Sequence, residues 1–375
     1  MSSILSRNHA LSLRGHGRRS FLVNSSRLML GAAGLAAGLG RVRVAGAASQ
    51  VTIGVMETPC VAPAYVAVSQ GFLRDEGIDA TIVDITMPGN LGLAVDGGNA
   101  LASGHADVVM NAVWAAVPPR TPTGLSVGDL QITAALQRGC MALVVPPASP
   151  VQSMADLRNQ TIAGAKFVFG APLVDAGLDP DVDISWAPAP STANAVPTLQ
   201  SGDFAAVQTN DAQGVLLQRA GLARMVAFND MPPQQSDFCC GSIMLASNIQ
   251  QDRPRATAIT RALMRAAVWS EAHHDQAAQQ MLNVLDTHQN EVSLADWQAA
   301  MAVLAFVPMA EAARPILVDQ FDRYLKYGMP VDQPIDAATL VDRAYTPLTD
   351  EIADAVFQVA SVGASSFVCA RPTSV

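Results

Sequence analysis

The chain has 375 residues, half of them hydrophobic and only 15% charged, with a formal net charge of −9 and no basic block. That length holds two domains with ordinary cores, and the acidic balance argues against nucleic acid or an anionic membrane surface as a partner. Beyond residue 48 no apolar run approaches the roughly 20 residues a membrane-spanning helix needs, so a soluble mature chain is expected.

In chain order the first recognisable element covers 18–48. Arg18-Arg19-Ser20-Phe21-Leu22 sets two arginines ahead of an aromatic and an aliphatic residue, Leu28 to Leu39 is apolar and small, and Arg41, Arg43 and Ala45-Gly46-Ala47-Ala48 follow. A basic head, a short apolar middle and a small-residue cleavage site are the parts of a signal peptide, and the middle is too short to anchor. The paired arginines predict a twin-arginine leader over 1–48, a receptor-read address for proteins that cross the membrane folded. An ordinary secretory leader that contains Arg-Arg is the alternative. Either way the mature chain begins near Ala48 or Ser49 and works in the periplasm.

The mature part alternates strands and helices. A β-branched strand is predicted over 51–56, then a helix over 63–76 opened by Pro63 and stopped by Gly77. A strand over 79–86, a helix over 91–102 closed by Ser103-Gly104, and a strand over 106–110 follow. Further strands are predicted over 131–136, 142–145, 161–165, 204–209, 224–228 and 243–246. Helices are predicted over 153–157 with Ser153 as cap, over 192–200, and over 254–285, with Met264, Trp269 and Leu282 among the apolar positions of the last. Strand–helix–strand alternation implies parallel strands joined by right-handed crossovers. Leu101-Ala-Ser103-Gly104 before Val108-Val109 is echoed by Leu199-Gln-Ser201-Gly202 before Ala206-Val207. Two such units, one in each half, suggest two similar α/β lobes.

Several phrases, in order, resemble one family. Ala62-Pro-Ala-Tyr-Val-Ala67 with Gly71-Phe-Leu-Arg-Asp-Glu-Gly77, Ala100-Leu-Ala-Ser-Gly-His-Ala-Asp-Val108, Val151-Gln-Ser-Met-Ala-Asp-Leu157 and Leu199-Gln-Ser-Gly-Asp203 are similar to segments of the nitrate/sulfonate/taurine-type periplasmic binding proteins of ABC importers. Arg261 to Ala278 resembles that family's long late helix, with His273-His274 where the family has a His-Pro pair. Ala205 or Ala206 stands where the family often has aspartate. The resemblance covers about 51–290. It implies an α/β, type II periplasmic binding fold, with two lobes, a ligand cleft between them and two crossover strands. Lobe 1 would comprise 49–140 and 241–330, lobe 2 would comprise 141–240, and 331–375 would form a helical tail packed on lobe 1.

In such sheets ligands sit beyond the carboxyl ends of strands, near helix amino termini. The strand-end positions give the candidate ligand contacts Cys60, Met87, Asn111, Trp114, Cys140, Lys166, Asn210, Asp211, Cys239 and Cys240. Lys166 offers an ammonium to an anionic head group or is a solvated loop lysine. Trp114 is an aromatic wall or a core residue. Asn210, Asp211 and Gln213 are polar contacts or ordinary residues at a helix start. His105, at a strand start, points away from that end, and Met56, Met110 and Met244 read as core.

Four of the five cysteines, Cys60, Cys140, Cys239 and Cys240, fall in these strand-end loops; the fifth is Cys369. Cys60 also precedes a helix start, where the dipole favours thiolate. Three readings stay open: a disulfide joining Cys60 or Cys140 to one of the vicinal pair, a thiolate cluster holding a soft metal or metal cluster, or buried thiols acting as small hydrophobes. The function expected from the resemblance is capture of a small polar or anionic organic molecule, of the sulfonate, nitrate or pyrimidine-precursor class, by lobe closure. No cofactor is required and no catalysis is expected. The partners are that ligand and the importer's inner-membrane permease, and the chain acts as a monomer. The alternatives are a soft-metal or cofactor-binding cleft, and an enzyme like the thiamine-pyrimidine synthases, whose cysteine-rich segment Phe238-Cys239-Cys240 resembles in shortened form. Neither a Gly-rich phosphate loop nor a nucleophile elbow is present.

Overall fold

The computed structural model describes residues 49–348, apart from 57, 86–92, 118–123, 140, 191–193, 229–231 and 285–291. The expected leader, Met87, Cys140, Cys369 and the end of the tail lie outside the described residues. The strands are β1 (Ser49–Val55), β2 (Ile78–Asp84), β3 (Val108–Ala112), β4 (Leu130–Arg138), β5 (Met141–Val145), β6 (Gln160–Ala163), β7 (Ile184–Ala187), β8 (Ala206–Asn210), β9 (Arg224–Phe228) and β10 (Phe238–Leu245). The helices are α1 (Ala62–Ser69), α2 (Phe72–Asp75), α3 (Leu93–Ala102), α4 (Lys166–Asp175), α5 (Ala195–Gln200), α6 (Asp211–Arg219), α7 (Ala246–Gln251), α8 (Arg253–Ala272), α9 (His274–Val284), α10 (Leu294–Met301), α11 (Arg314–Lys326) and α12 (Ala337–Ala344).

The strands form two sheets, in the orders β2-β1-β3-β10-β4 and β7-β6-β8-β5-β9. In the first sheet β1 pairs in parallel with β2 and β3, while β10 runs antiparallel to both β3 and β4. In the second, β6 pairs in parallel with β7 and β8, while β5 runs antiparallel to β8 and β9. Each sheet therefore carries one reversed strand in fourth place, donated by the chain as it arrives from the other sheet. This is the two-lobed, type II arrangement that the resemblance implies. The parallel strands need helical crossovers, and the continuous apolar Val-Val-Met of β3 suits burial on both faces, as does Met-Ala-Leu-Val-Val in the reversed β5.

Around the first sheet α1 packs on α8 and α9, and α3 packs on β3. At the outer edge, Met309 pairs with Ala135 and Ala305 with Arg138, while Tyr345, just after α12, pairs with Ile132. Met56, Met110 and Met244 are core residues. Ser153 and Asp156 form a capping box on a single 3-10 turn.

Several elements differ from expectation. The single helix over 63–76 is two, because Gly71 takes a left-handed φ of 78° that breaks the hydrogen-bond ladder. The helix over 254–285 is interrupted at His273, whose ψ of 49° ends α8. Residues 166–170, expected as a loop after a strand over 161–165, instead begin α4, and β6 stops at Ala163. Cys239 and Cys240 are not in a loop, because β10 starts at Phe238 rather than near 243.

Helix α4 is held against the carboxyl-terminal end of α11. A Cβ on Gly170 would come within 2.7 Å of Cδ1 of Tyr327, so only glycine admits that ring. Gly170→Ala should gain up to about 1 kcal/mol of helix propensity and lose roughly 1–3 kcal/mol to overpacking. The expected net is destabilisation, read as a lower urea midpoint at unchanged m. A midpoint equal to or above that of the parent would show that Tyr327 yields freely and that the contact is loose.

Candidate functional site

The strand directions bring both sheets' carboxyl ends to one place. Phe238, which opens β10, pairs with Arg138, which closes β4. Met141, which opens β5, pairs with Asn210, which closes β8. The chain leaves β4 at Arg138, turns through Gly139 at a left-handed φ of 66°, and enters the second sheet at Met141. It returns to β10 after residues 229–237. The space at these two passages is therefore the crevice beyond the strand ends where α/β sheets bind ligands.

The expected site residues are placed as follows. Asn111 is fully buried on β3, opposite Gly241 of β10, with its Oδ1 accepting from the Ala112 amide at 2.7 Å. Trp114 follows in a 3-10 turn, Val113–Ala116, and is buried. Asn210 caps α6, its Oδ1 accepting from the Gln213 amide at 2.7 Å, and Asp211 is buried in the first turn. Cys60 lies in the turn Pro59–Val61 that leads into α1, with Sγ 2.8 Å from Thr58 Oγ1. Lys166 starts α4, and its Nζ is 2.5 Å from Asp181 Oδ1, so its charge already faces a carboxylate.

The cysteine expectations need correction. Cys239 and Cys240 sit inside β10, where register shifts at Cys240 leave the two Sγ atoms 3.8 Å apart. No disulfide joins Cys60, Cys239 and Cys240 to one another. Among the described residues no group of three or more His, Cys, Asp or Glu is placed to hold a metal ion, so these three thiols do not by themselves make the expected cluster.

The sequence reading named Trp114 but missed Tyr324 and the helix that carries it. Trp114 from the first sheet, Phe167 from α4 of the second and Tyr324 from α11 meet edge to face. Their centroids are 6.1 Å (Trp114–Phe167), 6.0 Å (Trp114–Tyr324) and 5.3 Å (Phe167–Tyr324) apart, within the range favoured by aromatic pairs. Helix α11 is fixed to β10 by Gln320, whose Oε1 accepts from the Phe238 amide at 3.0 Å. Its Nε2 donates to the Phe238 carbonyl at 2.7 Å and to Tyr324 Oη at 3.0 Å. Arg323 is ion-paired with buried Asp237. The Arg138 guanidinium lies 5.1 Å from the centre of the Phe238 ring.

Burial governs the charges here. It pushes the Asp237 carboxyl up to about 7, against the opposing pull of Arg323. It raises the Tyr324 phenol well above its ordinary value, with Asp237 adding to the effect, and lowers Arg138, with Asp237 opposing. A signal for α11 existed. Pro315 stands in the first turn, and Leu317, Gln320, Phe321 and Tyr324 share one buried face at helical spacing. Two cavities lie elsewhere, one of about 390 Å³ between 124–127 and 332–343 and one of about 410 Å³ beside Ser149, Asp156 and Gln160.

Comparison with known proteins follows this geometry. The family model described as NMT1/THI5 like matches residues 58–277. No curated protein matches the chain. Among solved structures, the nitrate-binding protein NrtA of Synechocystis PCC 6803 is 13% identical with a TM-score of 0.61, covering 84% of this chain and 89% of that one. The alkanesulfonate-binding protein SsuA of Xanthomonas axonopodis pv. citri, bound to MOPS, is 18% identical with a TM-score of 0.58, covering 80% and 98%. A zinc-bound ligand-binding component of an ABC-type import system from Staphylococcus aureus is 12% identical with a TM-score of 0.61, covering 81% and 98%. At these identities the likeness establishes the fold.

The raised Asp237 carboxyl makes stability depend on pH with a definite sign. Its folded value, about 7, exceeds the ordinary 3.8, so the stabilisation is complete below about pH 4 and is lost as pH rises through about 7. Asp237→Asn keeps an oxygen for Arg323 and removes the titration. Unfolding free energies measured from pH 4 to pH 8 should fall more steeply in the parent than in the variant, by roughly 2–4 kcal/mol over the range. Parallel profiles would mean that Asp237 stays charged throughout.

Proposed function

We propose, for a chain that belongs to the NMT1/THI5-like family, the role of solute-binding protein to an ABC importer, capturing a small anionic organic or inorganic ligand between its lobes. In this reading 49–140 and 241–330 form one lobe, 141–240 the other, and 331–375 packs on the first. The chain is delivered to the periplasm by the twin-arginine leader, binds as a monomer, and presents its closed form to the permease. Asn111, Trp114, Asn210 and Asp211 line the ligand space, with Cys60, Cys239 and Cys240 behind them; Met87, Cys140 and Lys166 complete the expected set.

One observation carries the reading. At the two passages between the sheets, Gln137 Oε1, Thr209 Oγ1, Gln234 Oε1 and Asp237 Oδ2 are buried without a hydrogen-bond partner among the described residues. Buried polar atoms are ordinarily satisfied, and three of these four, Gln137 Oε1, Gln234 Oε1 and Asp237 Oδ2, are acceptors, so what completes them must bring N–H or O–H donors. The nitrate and sulfonate classes named for NrtA and SsuA set the ligand type to try first. A plain sulfonate or nitrate offers only acceptor oxygens, which leaves those three acceptors unmet, whereas taurine adds an ammonium that can donate to them.

The test is thermal unfolding of the purified protein with nitrate, taurine, MOPS, propanesulfonate, a pyrimidine and Zn²⁺, the last included because of the zinc-bound relative. A true ligand at 100 times its Kd should add about 2.7 kcal/mol of stability. If Zn²⁺ alone stabilises, the soft-metal reading replaces this one. If nothing does, the binding role is lost.

A further inference from the structure

We propose that Arg138 is the residue that anchors the ligand's negative charge, an inference that rests on the binding role above. Arg138 ends β4 at the first passage between the sheets, and its amide donates to the Ala305 carbonyl at 2.8 Å, which fixes the backbone from which the side chain projects. The side chain is only partly exposed. Among the described residues its Nε is buried without a hydrogen-bond partner, and its Nη2 meets the Met309 sulfur, 4.0 Å away. Among the described residues no carboxylate lies within 4.0 Å of it. The nearby candidate, Asp237, is paired with Arg323 instead.

Asp237 acts on both guanidinium groups but is ion-paired with Arg323, so among the described residues Arg138 has no ion-pair partner of its own. Asp319, the other carboxylate that acts on Asp237, belongs to an exposed residue. A partly buried cation without a counter-ion is costly, and the ring of Phe238 with the thioether of Met309 compensates only weakly. What Phe238 does is cover one face of the guanidinium, so its in-plane N–H groups remain the directions in which it can bond. That fork matches two oxygens of a sulfonate, nitrate or carboxylate. Lys166, the cation expected to do this, is engaged by Asp181.

The experiment compares the parent with Arg138→Gln and Arg138→Lys, titrating propanesulfonate, nitrate and taurine calorimetrically, with the neutral propanesulfonamide as control, and measuring unfolding of each protein without additive. We expect Arg138→Gln to weaken the anion that binds the parent by about 10–100-fold, Arg138→Lys to recover part of that loss, and the sulfonamide to be unaffected. Without additive, Arg138→Gln should unfold at a temperature equal to or above the parent's, since it removes an unpaired buried charge. A structural arginine predicts the reverse. Equal anion affinity in parent and Arg138→Gln, or a ligand-free melting temperature several degrees below the parent's in both variants, overturns the anchor while leaving the binding role intact. Failure of all three anions to bind the parent overturns the anchor and the binding role together.

Discussion

The reversed strands β5 and β10 are the constraint on which the rest depends. Each lies between a parallel strand and an edge strand of a sheet to which the chain has just crossed. Because both start where their neighbours end, Asn111 near the end of β3, Arg138 at the end of β4 and Asn210 at the end of β8 all lie at the ends from which the chain passes between the sheets. Strand β10 is itself fastened on its helix-covered side. Thr133 Oγ1 lies 2.9 Å from Ser242 Oγ and 2.9 Å from Thr260 Oγ1, a buried chain of hydroxyls that ties β4, β10 and α8 together. Polar groups matched only to one another fix register more strictly than apolar packing does.

How much of this was legible in the sequence depended on whether the signal was local. Strand β9, 224–228, and the Ser-Gly stops near 103 and 201 were readable because a short apolar run after a glycine turn and left-handed glycines report on their own segment. Helix α4 was not. Lys-Phe-Val-Phe-Gly-Ala-Pro-Leu places a glycine and Pro172 inside the helix, and both argue for a loop until the Tyr327 ring that demands Gly170 is known. The start of β10 was missed for a related reason. Two small, polarizable cysteines carry little strand propensity, and what places this segment in a strand is the pairing of Cys240 with Ala112 and Gln137, more than 100 residues earlier.

The candidate site shows the same division. Asn111, Trp114, Asn210 and Asp211 could be named because the fold predicts that strand ends matter. Gln320, Arg323 and Tyr324 could not, since their partners Phe238 and Asp237 are 82 and 86 residues away. Nothing in the amphipathic pattern of α11 says which sheet it will meet. Cysteine placement misled for a complementary reason. A residue type suggestive of chemistry was read as site when its burial within β10 equally suits a small hydrophobe.

Helix α11 also indicates where the lobes must part. Its attachments to the first sheet are directional: Gln320 bonds both backbone groups of Phe238, and Arg323 pairs with Asp237. Its contacts with α4 of the second sheet are ring edges and an aromatic packed on glycine, Tyr324 on Phe167 and Tyr327 on Gly170. Directional bonds in a buried site resist displacement, whereas apolar faces can separate at a cost proportional to the area exposed. A separation of the two sheets should therefore keep α11 with β10 and peel α4 away. The Gln234 side chain, which donates to the Val168 carbonyl of α4 at 2.9 Å, would then travel with the second lobe. The surfaces such a separation uncovers carry Trp114, Phe167 and Tyr324.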